Sequence, residues 1–156
     1  MQLYLVRHGK ALSTKEDPDK RLSTLGRAES EAMARFVKPL KIKVKSIWHS
    51  GKTRALQTAG YFALTVESKS GLKFKGDISP NDPVEGVAEQ ISEIGTNLMI
   101  VGHLPFLNRL ASYLLTGEAE KEIFQFHTAG IICLFGEENG NWEVEWMLSP
   151  RIIPKL

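Results

Sequence analysis

The chain opens with an apolar run, Leu3-Tyr4-Leu5-Val6, that stops at Arg7-His8-Gly9. A short continuous apolar run closed by a glycine predicts a strand buried on both faces, as in a parallel sheet. The pattern returns at Asn97 to Val101, which ends on Gly102-His103. Open α/β sheets collect ligands outside the carboxyl ends of their strands, so both histidines are expected where a site is normally built.

Elsewhere the period changes to that of helices. Leu25, Ala28, Ala32, Met33, Phe36 and Val37 fall near helical spacing, with Thr24 as the expected cap and Pro39 as the stop. Thr53 to Ala63 has helical composition and a threonine at its start, which puts Arg54 in the first turn. Val84 to Ile94, closed by Gly95, and Pro105 to Leu115, broken by Gly117, predict two further helices. Strands are expected at Ser46-Ile47-Trp48, at Leu72 to Ile78, at Ile131 to Phe135 and at Trp142 to Leu148, the last two joined by a turn through Gly136 to Gly140. Lys10 to Lys20 reads as a surface loop leaving the first strand, and Pro80 to Pro83 as a turn. Strands alternating with helices, with a terminal strand pair, specify the α/β class: a three-layer α/β/α sandwich on a mostly parallel, mixed sheet.

Composition narrows the function classes. At 156 residues the chain fits one domain, expected to span 1–156, and 42% hydrophobic with 24% charged residues is ordinary for a globular protein. A net charge of +2 gives no reason to expect nucleic acid or a membrane surface as partner, so any strong positive potential must be local. The single cysteine, Cys133, lies in the apolar run IICLF, which excludes an internal disulfide framework and suits a packing role in a reducing cytoplasm. No apolar stretch approaches the roughly 18 residues that span a bilayer, and the first residues lack a basic region followed by a longer apolar core. A cytoplasmic location is expected.

Arg7-His8-Gly9 with Ala11, HSGKTRALQTA from His49 to Ala59, and VGHLP from Val101 to Pro105 resemble, in that order, the motifs of the histidine phosphatase superfamily. The match covers the chain to about residue 105, and the short length resembles the small bacterial phosphohistidine phosphatases of that superfamily. The resemblance implies a phosphoglycerate mutase-like fold, a covalent phospho-His8 intermediate, phosphate binding by Arg7 and Arg54, stabilisation of the phosphoryl group by His103, and neither metal nor organic cofactor. Arg21, in Arg21-Leu22-Ser23-Thr24-Leu25-Gly26, matches a further phosphate-contacting arginine, with a serine shifted into an expected threonine place. Gly51 stands where that family usually has proline, and His49 where a small or hydroxyl residue is more usual.

These residue types suit the implied chemistry. Guanidinium forks match the geometry of phosphoryl oxygens better than ammonium points do. A neutral histidine offers a ring nitrogen for in-line attack, and neighbouring arginines disfavour its imidazolium form. Larger members of the family carry a carboxylic acid on an inserted segment that protonates the leaving oxygen, and between Gln57 and Ile78 there is no room for a large insertion. A phosphorylated imidazole needs no such donor, because it can take a proton on its free ring nitrogen and leave neutral. The expected substrate is therefore phosphohistidine on a partner, such as a phosphotransfer or phosphocarrier protein, with inorganic phosphate as product. Alternatives are phosphatase action on small phosphate monoesters or phospho-Ser/Thr, and a phosphoprotein-binding module without turnover. Asp82 is a candidate acid or water-orienting group, and Gly9 a candidate backbone contact. Thr128-Ala129-Gly130 reads as a plain loop with an alternative role in donating to phosphate. His49 and His127 bring the histidines to four without His-x-x-x-His or Cys-x-x-Cys spacing, so no metal is expected. The lysines from Lys38 to Lys45 read as a solvated face that can steer an acidic partner.

Overall fold

The computed structural model describes residues 1–154; Lys155 and Leu156, the end of the expected 1–156 domain, lie outside the described residues. In chain order the elements are β1 (Gln2–Arg7), α1 (Thr24–Val37), β2 (Lys43–Val44), β3 (Ile47–His49), α2 (Thr53–Ala63), β4 (Glu67–Ser68), β5 (Leu72–Phe74), α3 (Glu85–Ile94), β6 (Leu98–Gly102), α4 (Phe106–Thr116), β7 (Ile131–Gly136) and β8 (Trp142–Leu148). A six-stranded sheet runs β5-β3-β6-β1-β7-β8. β1, β6, β3 and β5 are mutually parallel, whereas β7 lies antiparallel to both β1 and β8. The expected mixed, mostly parallel sandwich is the observed one.

The alternation of side chains along the strands builds the two halves of the core. Leu3, Leu5, Leu98 and Ile100 face Val87, Ile91, Leu107 and Leu110 of α3 and α4, while Tyr4, Val6, Met99 and Val101 face Met33, Val37, Ala59 and Phe62 of α1 and α2. Both faces of the central strands are thus covered, which explains why β1 and β6 read as unbroken apolar runs. Cys133 is buried in the second half of the core and free, as its packing role requires.

Several boundaries differ from expectation. The cap of α1 is Ser23, whose hydroxyl accepts from Gly26 N–H at 3.0 Å, and Thr24 is the first helical residue. Thr53 is likewise the first residue of α2 rather than its cap; Lys52 holds that place without a side-chain bond. β5 ends at Phe74, not Ile78, because the chain turns through Gly76 and drops Ile78 into the core. β2 and β4 pair as a small parallel sheet that the short, mixed-polarity runs Lys41 to Lys45 and Glu67-Ser68 did not predict.

Candidate active site

Adjacent parallel strands deliver the two histidines to the same end of the sheet. Arg7, the last residue of β1, pairs with Gly102, the last of β6, so His8 and His103 leave the sheet side by side. The His8 amide donates to the Gly102 carbonyl at 2.9 Å, and the His103 carbonyl accepts from Leu107 N–H of α4 at 2.9 Å. The imidazole centroids lie 5.0 Å apart with planes inclined at 50°.

The turn after β1 is clamped on two sides. Gly9 N–H donates to Thr58 Oγ1 at 3.0 Å, and Thr58 donates onward to the Arg54 carbonyl at 2.8 Å, tying the turn to the helix that carries Arg54. On the other side α1 packs directly on the turn: a Cβ on Gly9 would lie 2.5 Å from Ser30 Oγ, and one on Gly26 would lie 2.0 Å from the Lys10 carbonyl oxygen. Glycine at these two positions lets α1 approach the backbone that holds His8.

His8 is tied through one ring nitrogen only. Its Nδ1 lies 2.7 Å from the Gly9 carbonyl oxygen, an acceptor, so Nδ1 carries the hydrogen and Nε2 keeps its lone pair. The His8 pKa falls to about 4, with burial the largest cause, the Gly9 carbonyl opposing it, and Arg54, Arg7 and Lys20 lowering it further. Burial, more than the neighbouring arginines, makes His8 a neutral imidazole. His103, at 1% exposure, falls to about 3, again first through burial and then through His8, Arg54, Lys52 and Lys20. Its Nε2 lies 2.6 Å from Ser50 Oγ.

Around these rings stand cations without anions. Arg7 donates from Nη1 to the Phe126 carbonyl at 2.7 Å, while its buried Nε has no partner. Among the described residues no carboxylate lies within ion-pair distance of Arg7 or Arg54. Burial lowers the pKa of both guanidiniums from the ordinary arginine value, which means that each carries part of a desolvation cost that an incoming anion would relieve.

The remaining candidates are placed differently. Arg21 points its Nη1 at Asp17, 3.2 Å away, and is half exposed. Lys20, just before it, instead contributes to the positive field at both histidines; its φ of 51° turns the chain there. Asp82 accepts from Ser79 N–H at 2.9 Å, and its carbonyl accepts from Arg109 at 3.2 Å, so its hydrogen bonds hold the turn around it rather than either histidine. Ala129 N–H is spent on the Arg7 and His8 carbonyls and Gly130 N–H on the His127 carbonyl, so these two amides brace the end of β1. Among the described residues no three His, Cys, Asp or Glu side chains gather as a ligand set for a metal.

Gly51 has a structural reason of its own. Its φ is +84°, its N–H donates to His49 Nδ1 at 3.1 Å, and Phe74 occupies the place where its Cβ would be, 2.6 Å from the nearest ring carbon. Proline, with φ near −65° and no N–H, cannot fill this position. His49 packs its ring against Phe74 at 6.3 Å, and so serves the loop. Lys20, Ser50, Lys52 and Thr58 were not singled out by sequence. Ser50, Lys52 and Thr58 carried a signal only as members of the second motif, HSGKTRALQTA, and Lys20 carried none.

Two neutral imidazoles and two unpaired, half-buried guanidiniums at the carboxyl ends of parallel strands define an α/β protein with a site built for a compact oxyanion. The histidine phosphatase superfamily (branch 1) matches residues 3–73, and over that stretch the chain is similar to that superfamily. Phosphohistidine phosphatase SixA of Escherichia coli (strain K12) is 27% identical over 155 residues, which cover 96% of this chain and 94% of SixA. The structure of protein histidine phosphatase SixA complexed with tungstate has a TM-score of 0.85 at 27% identity and covers 97% of this chain and 98% of that one. Phosphoserine phosphatase of Entamoeba histolytica, solved in complex with 3-phosphoglyceric acid, shares the fold, with a TM-score of 0.69 at 18% identity over 95% of this chain and 96% of its own.

Proposed function

We propose that this chain is a phosphohistidine phosphatase, acting in the cytoplasm as one domain on a histidine-phosphorylated protein through a covalent phospho-His8 intermediate. The observation that carries this reading is His8 itself: neutral, with Nδ1–H held by the Gly9 carbonyl and Nε2 free, in the field of Arg54 and Arg7. SixA, similar over nearly its whole length, is a phosphohistidine phosphatase by name, which supports the same class of substrate.

The steps follow from the protonation states. Arg7 and Arg54 bind the phosphoryl oxygens, and the phosphate charge offsets the cost of their burial. His8 Nε2 attacks phosphorus in line as the substrate's N–P bond breaks. The departing imidazole keeps the proton on its other ring nitrogen and leaves neutral. Phospho-His8, still protonated at Nδ1 against the Gly9 carbonyl, has the same property, so water displaces it as neutral imidazole and inorganic phosphate is released. His103 donates to a phosphoryl oxygen as charge builds on it. No carboxylic acid is required by either step, in keeping with a link from α2 to β5 taken up by β4 and turns. Arg21, held on Asp17, is a rim guanidinium available to the incoming protein.

The test is release of inorganic phosphate from a purified histidine-phosphorylated phosphocarrier protein, beside a phosphoserine peptide and a small phosphate ester, for wild type and His8→Ala. Release from the phosphohistidine alone, lost in the variant, is the expected result. Rapid turnover of the esters with an untouched phosphoprotein would discard the substrate and keep the nucleophile. Phosphate affinity that survives His8→Ala, with no wild-type turnover of any substrate, would replace catalysis by binding.

A further inference from the structure

Phe74 is the most exposed aromatic side chain among the described residues, at 66%, and it stands on the loop that builds the site. It is the last residue of β5 and pairs with His49, the last of β3, so both lie at the sheet end that carries His8 and His103. The ring is held in place. A Cβ added to Gly51 would come within 2.6 Å of it, and its centroid is 6.3 Å from that of His49. The same short loop reaches the chemistry: Ser50, next to Gly51, places Oγ 2.6 Å from His103 Nε2, and Arg54 follows in the first turn of α2. Lys52, one residue beyond Gly51, is exposed, and no carboxylate among the described residues lies within ion-pair distance of it. Bracing Gly51 and His49 uses only the covered part of the Phe74 ring. The larger, exposed part has no task inside the fold.

We infer that Phe74 is a specificity-determining residue for a protein substrate: an apolar side chain beside the partner's phosphohistidine packs on its exposed face, and an acidic side chain of the same surface meets Lys52. This role rests on the phosphohistidine reading. A histidine ring extends only a short way from its own backbone, so a protein that delivers one to His8 must lay its surface on the residues around the opening. A large apolar group already fixed in one conformation is suited to receive that surface, because covering it gains the hydrophobic term and costs little further side-chain entropy. The unpaired ammonium beside it favours an acidic neighbour over a basic one. Free phosphohistidine has nothing to place on this rim, so Phe74 separates substrates by what carries the phosphohistidine. The contact is the same before and during phosphoryl transfer, and it therefore acts on KM and leaves kcat.

The experiment is steady-state release of phosphate from a purified histidine-phosphorylated phosphocarrier protein and from free phosphohistidine, for wild type, Phe74→Ala and Phe74→Tyr. Wild type is expected to have the higher kcat/KM on the phosphoprotein. Phe74→Ala is expected to raise KM for the phosphoprotein about five- to thirtyfold, as for an interface anchor, with kcat and the kinetics on free phosphohistidine changed less than about twofold. Phe74→Tyr keeps the ring and restores KM. Equal losses on both substrates would make Phe74 a brace of the loop alone and overturn the inference. So would an unchanged KM for the phosphoprotein in Phe74→Ala, or a wild type that does not prefer the phosphoprotein. A wild-type dimer in sedimentation that Phe74→Ala dissolves would give the ring to a second copy of the chain, which overturns it as well. Wild type inactive on both forms of phosphohistidine but active on phosphate esters is a distinguishable result: it removes the substrate class itself, and this role with it.

Discussion

The two ends of the central sheet both carry positive charge, and only one of them is a site. At the amino ends of the strands a cleft of about 900 Å³ is lined by Lys43, Lys45, Lys69, Thr96 and Asn97, and its lysines stand in water, Lys43 beside Glu67 at 3.7 Å. At the carboxyl ends, by contrast, Arg7, Arg54, His8 and His103 are partly or wholly removed from solvent and their pKa values all fall. An open cleft with several cations therefore does not by itself locate the chemistry. Desolvation and fixed geometry do, because a solvated ammonium satisfies itself with water whereas a half-buried, unpaired guanidinium retains a need for an anion.

The largest break in this contrast comes from the nucleophile. His8→Ala is expected to abolish phosphohistidine hydrolysis, a loss on the order of 10⁴-fold or more, with no acid-labile phosphate left on the protein after mixing with substrate. Arg54→Ala removes one fork from the phosphoryl group and is expected to lower kcat/KM by about 10² to 10³-fold, read in steady-state kinetics. Introducing the family's usual proline, Gly51→Pro, should damage the loop: it removes the N–H held by His49 and cannot adopt the +84° φ, so chemical denaturation should show a loss of about 1–3 kcal/mol together with lower turnover.

The depressed imidazoles give a smaller, pH-dependent effect. With folded pKa values of about 4 for His8 and about 3 for His103, below the ordinary value of about 6.5, the unfolded chain takes up protons first as the medium is acidified. Stability is therefore expected to fall as pH drops from about 6.5 toward 4, with a shallower slope in His8→Ala, measured by thermal melts across that range. The acid limb of kcat/KM should lie near pH 4. At the far end of the sheet, Lys43→Ala combined with Lys69→Ala should change turnover less than about twofold and stability by about 0.5 kcal/mol or less; a larger loss of turnover would remove the distinction between the two ends.

Much of the layout was legible in the sequence because burial on both faces leaves a continuous apolar run that no surface element shares. β1 and β6 could be read in this way, and with them the joint arrival of His8 and His103 at one sheet end. The helices of the outer layers followed from their periodicity. Boundaries were less legible: whether Ser23 or Thr24 caps α1 depends on which hydroxyl meets Gly26 N–H, and neighbouring hydroxyl residues look alike in a pattern. Among the candidate residues, Arg21 was chosen by its match to a family motif and Asp82 by the polar turn that carries it, and the structure engages both in local pairs, Arg21 with Asp17 and Asp82 with Ser79 N–H.

The sequence by itself determined the class of fold, the strand ends that carry the histidines, and the presence of arginine and imidazole in the right motifs, because these depend on local periodicity and residue type. Only the tertiary structure decided the state of those groups. The lone pair on His8 Nε2 exists because the Gly9 carbonyl accepts the Nδ1 hydrogen, the low pKa of both rings comes mainly from burial, and Ser50 reaches His103 from 53 positions away in the chain. Protonation and tautomer depend on what surrounds a ring in space, and those surroundings are assembled only when the sheet has brought its strand ends together.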